Sequence, residues 1–247
     1  MDIDTHIAAL RGDGLLLAAN AEAAGTDAAV STCPGWQVRD LVRHTGTVHR
    51  WATAFVAEGR GEFRQAAGEP ELDGKELIDW FREGHGLLVA ALEQAPDDLA
   101  CWSFLPAPSA RAFWARRQAH ETAMHRIDSE SALRSIEPAA LAPDFAVDGI
   151  DELLCAFHAR EKSRVRSEEP KVLRVRASDV DAVWTVRISE QPPVTTRGRS
   201  EGEADCEISG TAAALYAALW NRAPVPHLTG DPSVARLWRE TSAIVWR

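Results

Sequence analysis

The sequence lacks the long apolar run that a membrane-spanning helix requires. Such a helix needs about 18 to 20 consecutive apolar residues, and no segment of the chain approaches this length. The first residues, Met-Asp-Ile-Asp-Thr-His, are acidic where a secretory signal peptide would be basic. We therefore expect a protein that has no membrane partner and stays in the cytoplasm.

Closely spaced cysteines are absent as well. The four cysteines are Cys33, Cys101, Cys155 and Cys206, and no two of them form a CxxC pair. This spacing encodes neither a disulfide framework nor a cysteine-ligated zinc, so we interpret all of them as reduced thiols. Cys33 precedes a Pro-Gly pair, and we favour a small half-buried residue there over a reactive thiol.

Basic residues are too few to balance the acidic ones. The chain has 27 Lys and Arg residues against 37 Asp and Glu residues, which gives a formal net charge of −10. A negative average field repels phosphate backbones and anionic lipids. The most basic stretch, residues 160–176, also contains three glutamates and is typical of a solvated face of mixed charge. We therefore expect no nucleic-acid partner.

Apolar periodicity predicts helices in the first two thirds of the chain. Segments with a 3.6-residue apolar period run at about 4–24, 37–58, 74–95 and 109–133, separated by loops rich in Pro, Gly and Asp. A further helical stretch follows at about 144–163. These segments predict a four-helix bundle, and we place this helical domain at residues 1–163.

The last third of the chain has a different pattern. Apolar and charged residues alternate at 171–177 and 182–188, which predicts two paired strands, and a third strand is expected near 205–208. A helix at about 211–221 has Ser209 or Thr211 as its N-cap, and Asn221 can end it in the left-handed conformation. A last helix starts near Asp231 and Pro232. We therefore predict a small α+β domain at residues 164–247, and an α+β two-domain protein overall.

The second helical segment contains two histidines, and helical spacing predicts which of them faces inward. His44 and His49 are five residues apart, or about 140° around a helix axis, so we expect only one of them to face the bundle interior. An apolar stripe through Leu41, Val48 and Phe55 includes the position of His44 but not that of His49. We therefore predict that His44 points inward. An inward histidine is by itself more often a hydrogen-bonded core residue than a metal ligand.

The fourth helical segment contains the sequence His-Glu-Thr-Ala-Met-His at residues 120–125. Glu121 and His125 are four residues apart and share one face, so both side chains can reach one ion. A buried carboxylate needs a partner, and a cation shared with an inward histidine of another helix would supply one. The alternative is a Glu121–His125 pair on the surface without function. His120 is about 140° from His125 and is interpreted as a supporting or surface residue.

Three groups of motifs extend over nearly the whole chain in order. The first is PGWQVRDLVRH at 34–44 with VHRW at 48–51, the second is RQAHETAMHRID at 117–128, and the third combines 208–215, 219–222 and 230–232. Together they resemble the mycothiol-dependent maleylpyruvate isomerase family. The resemblance implies a DinB-like bundle and a C-terminal domain similar to sterol-carrier-like folds.

The resemblance also implies the residues of the active site. The family's metal ligands fall at His44, Glu121 and His125, and an arginine required for activity falls at Arg222. The implied metal is zinc, the implied thiol cosubstrate is mycothiol, and the implied source is actinobacterial. The sequence departs from many relatives at Asn221, where they have glycine, and either residue can end a helix.

We therefore expect a zinc-dependent enzyme that activates mycothiol for addition to an electrophilic or carboxylate-bearing small molecule. The reaction is a cis–trans isomerisation of the maleylpyruvate type or a thiol S-transfer. Arg222 either binds a substrate carboxylate or interacts with a helix C-terminus. Further candidates to support the site are His49, Arg117, His120 and Asp128. A hydrolase that uses a metal-bound water and a non-catalytic stress or binding protein are the alternatives, and we expect a monomer or small homo-oligomer.

Overall fold

The structure is a computed structural model that describes residues 1–133, 140–198 and 202–244. The chain divides into two compact units, Met1–Pro138 and Ala139–Arg247. The first unit is helical, and the second combines a small sheet with helices. The predicted fold class, a four-helix bundle followed by a small α+β domain, is therefore confirmed. Among the described helices, none has both the length and the hydropathy that crossing a membrane would require.

The first unit is built from four long helices. They are α1 (Ile3–Ala24), α2 (Val38–Glu58), α3 (Gly74–Gln94) and α4 (Ala110–Glu130). Side chains of Asp2, Asp73 and Ser109 accept backbone N–H groups at the starts of α1, α3 and α4. Such caps satisfy donors that the first helical turn leaves without a partner. The bounds agree with the four predicted segments, except that α4 ends before the predicted residue 133.

An apolar core holds these helices together. Helices α1 and α2 each pack mainly against α3 and α4, so α1 and α2 lie diagonally opposite each other. The buried residues of one core cluster include Leu17, Val38, Leu41, Leu77 and Phe81. Each such side chain contributes about 1.5–3 kcal/mol when it is fully buried, so this cluster fixes the relative position of α1, α2 and α3.

Helices α2 and α3 run in the same direction. Arg39 near the start of α2 pairs with Asp73 at the start of α3, and Arg50 further along α2 pairs with Glu83 further along α3 at 2.8 Å. The connection between the two helices must therefore return along the whole length of α2. Helix α4 runs antiparallel to α2, which places residues near position 44 opposite residues 121–125.

The second unit begins with helix α5 (Pro143–Asp151), which continues as a π-helix at Glu152–Phe157. The predicted helix at 144–163 is therefore correct at its start and too long at its end. Helix α5 packs against α6 (Ala212–Leu219), and Trp184 Nε1 donates a hydrogen bond of 2.6 Å to Asp151 at the end of α5. The predicted domain boundary between residues 163 and 164 stays a prediction.

The described residues of the second unit form a sheet of five strands. They are β1 (Lys171–Ala177), β2 (Val183–Ile188), β3 (Val194–Arg197), β4 (Cys206–Gly210) and β5 (His227–Gly230), in the order β3-β2-β1-β4-β5. Strands β1 and β4 are parallel, and the other pairs are antiparallel. The three predicted strands are β1, β2 and β4. The sequence did not predict β3 and β5, which are short, largely exposed edge strands without an alternating apolar pattern.

The residues predicted to begin or end the helices of this unit are confirmed. Thr211, rather than Ser209, caps α6 by accepting the backbone N–H of Ala214 at 3.3 Å. Asn221 adopts a φ of +62° just after α6, as predicted for a residue that ends a helix. Asp231 caps the last helix, α7 (Pro232–Thr241), and accepts the backbone N–H of Ser233.

Candidate metal centre

Three side chains converge where α2 faces α4. The Nε2 atom of His44 lies 3.7 Å from Oε1 of Glu121, and Nε2 of His125 lies 3.2 Å from the same oxygen. One possible ligand atom from each residue lies within 4.8 Å of the other two. The fold therefore brings together the three residues predicted from the sequence. The two histidines offer imidazole nitrogens, and the glutamate offers a carboxylate oxygen. Their role as metal ligands stays a prediction.

The site is buried at its base and open at one side. His125 and Glu121 occupy successive turns of α4 and are largely buried, whereas 24% of the His44 side chain is exposed. The antiparallel contact of α2 and α4 explains this arrangement, because it sets one position of α2 against two positions of α4 that share a face. The site therefore reaches solvent at the His44 side.

Asp128 orients His125. Its Oδ2 lies 2.9 Å from His125 Nδ1, and its Oδ1 accepts a hydrogen bond of 2.6 Å from the hydroxyl of Thr32. Burial lowers the pKa of His125, but the hydrogen bonds and charges of Asp128 and Glu121 outweigh burial and raise it to about 9. With Nδ1–H donated to Asp128, the ring presents Nε2 to the site, the usual arrangement of a metal-binding histidine.

Arg117 holds the second oxygen of Glu121. Its buried guanidinium donates from Nη2 to Glu121 Oε2 at 3.2 Å, which leaves Oε1 facing the two histidines. Burial raises the pKa of Glu121, but the interactions with His125 and His44 outweigh burial and hold that pKa well below its ordinary value. The carboxylate is therefore ionised, as a metal ligand must be.

The loop between α1 and α2 covers the other side of the site. Trp36 in this loop lies 5.3 Å from the His44 ring and stacks at 19° on the His125 ring, with 6.4 Å between centroids. Cys33 in the same loop is half-buried and packs against the bundle core, as expected. Trp36 belongs to the first sequence motif, but its contact with the site depends on the path of the loop and was not predicted.

Two family models match the chain. The model described as the mycothiol maleylpyruvate isomerase N-terminal domain matches residues 7–130, and the model described as the MDMPI C-terminal domain matches residues 144–238. The chain belongs to the mycothiol-dependent maleylpyruvate isomerase family. The two matches cover most of the bundle and most of the α+β unit, so membership extends over both units.

Two solved structures have a fold similar to that of this family member. A crystal structure of a histidine-to-alanine mutant of the mycothiol-dependent maleylpyruvate isomerase has a TM-score of 0.60 at 11% identity, with 90% of each chain covered. A second crystal structure of that isomerase has a TM-score of 0.58 at 12% identity, again with 90% of each chain covered. At such identities the likeness shows the fold alone. Among curated proteins, none matches the chain.

The expectation that only one histidine of α2 faces the interior is wrong for this family member. His49 is fully buried, its Nε2 lies 2.9 Å from the Thr122 hydroxyl, and its ring packs 5.4 Å from Phe81. Helix α2 packs against both α3 and α4, and its most buried face passes through His49, whereas His44 and Val48 of the predicted stripe are half-buried. Burial holds the pKa of His49 well below its ordinary value, and the ring is neutral.

His120 is also a core residue rather than a surface one. It is fully buried, and its ring lies 5.9 Å from that of His6 on α1. It does not join Glu121 and His125 at the candidate metal centre, as the helical spacing predicted. The burial arises because α4 packs closely against α1.

The buried hydrogen bond of His49 leads to a prediction about stability. Replacing Thr122 with Val should lower the free energy of unfolding by about 1–3 kcal/mol, because it leaves a buried ring nitrogen without its partner. Chemical denaturation measures this change. Thr45→Val is the matched control, since among the described residues the buried hydroxyl of Thr45 bonds to the carbonyl of Leu41 in its own helix. Equal losses in the two variants would contradict the prediction.

Arg222 lies in the second unit, just after α6. Its side chain is half-buried and donates from Nη1 to the carbonyl of Trp220 at 3.0 Å. This contact agrees with an arginine that binds carbonyls at a helix C-terminus. The catalytic role that the resemblance implies for Arg222 stays a prediction.

Proposed function

We propose that this protein is a zinc-dependent enzyme that activates mycothiol towards an electrophilic small molecule. The observation that supports this proposal is the convergence of His44 Nε2, Glu121 Oε1 and His125 Nε2 on one point. Two imidazoles and one carboxylate suit zinc, and a site with three protein ligands leaves a position open, as catalytic zinc sites do. Membership of the mycothiol-dependent isomerase family supplies the thiol.

The surrounding residues fit a divalent cation. Glu121 is a nearly buried carboxylate, and a buried charge needs compensation. Arg117 donates to its Oε2, and its Oε1 lies beside the two histidines. Asp128 fixes the tautomer of His125 that exposes Nε2. A bound zinc ion would favour the thiolate form of mycothiol.

Trp36 and Arg222 are proposed to shield the site from water and to bind the substrate. Trp36 lies against both histidine rings and keeps water from that side of the site. Arg222 is proposed to bind a substrate carboxylate, because a guanidinium can donate two parallel hydrogen bonds to it. This part of the proposal depends on the family resemblance. A cytoplasmic location belongs to the proposal as well, since a low-molecular-weight thiol stays reduced there.

The chemistry of the thiol gives two possible outcomes. Addition of a thiol to a cis double bond leaves a single bond that can rotate, and expulsion of the thiol then yields the trans isomer. In an S-transfer the thiol stays attached to the product. A hydrolase would need no thiol, so a thiol requirement separates it from both reactions.

The test is to mix zinc-loaded protein, mycothiol and a panel of electrophiles that includes maleylpyruvate, and to determine the mass of each product by mass spectrometry and its double-bond geometry by proton NMR. A product of unchanged mass and altered geometry identifies an isomerase. A product heavier by one mycothiol identifies a transferase. Full turnover without any thiol would contradict the proposal.

The raised pKa of His125 predicts a pH dependence of metal binding. Below about pH 9 the ring is protonated, so a metal ion must displace one proton to reach Nε2. The apparent zinc affinity should therefore rise by about tenfold per pH unit towards pH 9 and level off above it. Competition titrations with a chelator across this range measure it. The Asp128→Asn variant should show a flatter dependence, and an affinity that does not change with pH would refute the assignment.

A further inference from the structure

The connection between α2 and α3 lies against α2 as an extended strap, residues 60–73. Because the two helices are parallel, the chain must travel back along α2 before α3 begins. Two backbone carbonyls fix the strap: that of Arg64 accepts from Trp51 Nε1 at 2.6 Å, and that of Leu72 accepts from Arg43 Nη2 at 2.7 Å. The segment between these anchors passes the open side of the candidate metal centre.

Glu69 is the strap residue beside that centre. Its Oε1 lies 3.9 Å from Nδ1 of His44, while Nε2 of the same ring faces Glu121. The His44 ring therefore lies between two carboxylates, one on each ring nitrogen. His125 has the same arrangement, with Asp128 at Nδ1 and Glu121 at Nε2.

We propose that Glu69 is a positioning residue for His44, accepting its Nδ1–H when Nε2 binds the metal. Metal-binding histidines almost always donate their other N–H to an acceptor, which fixes the ring and raises its basicity. The distance of 3.9 Å exceeds a hydrogen bond, and rotation of the half-exposed Glu69 side chain closes the remaining gap of about 1 Å. This inference rests on the proposed metal centre.

Through Glu69, the position of the strap is linked to metal binding at His44. Asp128 is buried on the same helix as His125, so its position is set by the bundle itself. Glu69 belongs to a segment without helix or strand, in which residues 61–69 are all exposed. The strap therefore adjusts how strongly His44 binds the metal, and metal binding in turn holds the strap against α2.

The experiment compares Glu69→Gln with Glu71→Gln in the full-length protein, with zinc alone as the probe. Both changes remove one negative charge from the same strap, but Glu71 has no contact with His44 among those described. Glu69→Gln should weaken zinc binding by about tenfold relative to Glu71→Gln, the lower end of the effect of such supporting residues. Competition with a chromophoric chelator measures both affinities.

A second readout reports on the hydrogen bond itself. In zinc-loaded wild type, proton NMR should show a downfield Nδ1–H resonance that disappears in His44→Ala, shifts upfield in Glu69→Gln and stays in place in Glu71→Gln. Equal zinc affinities and unshifted resonances in the two glutamine variants would overturn the role of Glu69 while leaving the metal centre intact. Failure of wild type to bind zinc would overturn the proposed function and this inference together.

Discussion

Replacing Glu121 with Gln is expected to release zinc from the protein. The amide lacks the negative charge that Oε1 offers between His44 and His125, so zinc affinity should fall by more than about 100-fold, beyond the effect of changing a supporting residue. Metal analysis after dialysis and a chelator competition measure this loss. The melting temperature of the variant should no longer rise when zinc is added, because stabilisation by a ligand requires binding.

Helix α4 provides a matched control for this variant. Glu130 pairs with Arg126 four residues earlier, as Glu121 pairs with Arg117, and both glutamates are largely buried. Glu130→Gln therefore removes the same charge from the same kind of ion pair away from the site. It should retain zinc. Loss of zinc in both variants would indicate damage to the helix rather than loss of a ligand.

The second large effect is expected from Arg222→Lys, which should keep zinc and fold but lower kcat/KM by about 10- to 100-fold for a carboxylate-bearing substrate. An ammonium cannot reproduce the planar pair of donors, and hydrogen bonds to charged groups contribute about 1.5–3 kcal/mol. The measurement is kcat/KM with zinc content determined in parallel. Arg236→Lys, an exposed position on α7, is the control.

Equal activity of the Arg222→Lys variant and wild type would remove this residue from the reaction. The hydrogen bond from Arg222 to the carbonyl of Trp220 would then indicate a structural role, since a lysine at a helix end can make the same kind of contact. A loss of activity accompanied by a loss of folding would likewise indicate the structural role. Circular dichroism and thermal melting distinguish these outcomes from a specific loss.

Much of the candidate site could be predicted from local sequence because it depends on helical spacing. Glu121 and His125 share a face of α4 at any tertiary arrangement, and the contact of Asp128 with His125 follows from a spacing of three residues. The caps Thr211 and Asp231 are of the same kind, since a side chain bonds to backbone only two or three residues away. Such interactions need no knowledge of the fold.

The burial of His49 shows where this reasoning fails. Its position off the apolar stripe predicted that it would not face the interior, but the face that α2 buries against α3 and α4 passes through His49, and His44 on the predicted stripe is only half-buried. Periodicity indicates which face of a helix is the most apolar. It does not indicate how many neighbours the helix has, and a polar residue can be buried where a neighbour supplies a hydrogen bond, as Thr122 does here.

The sequence by itself determined the four helices, most of the second unit, the family and the three residues that meet at the candidate metal centre. Only the tertiary structure decided what surrounds them. The contacts of Trp36 and Glu69 with His44 depend on loops whose paths follow from helix directions, and in particular on the parallel arrangement of α2 and α3. Local spacing encodes which residues share a face of one helix, whereas the direction in which two helices pack is set by the whole core.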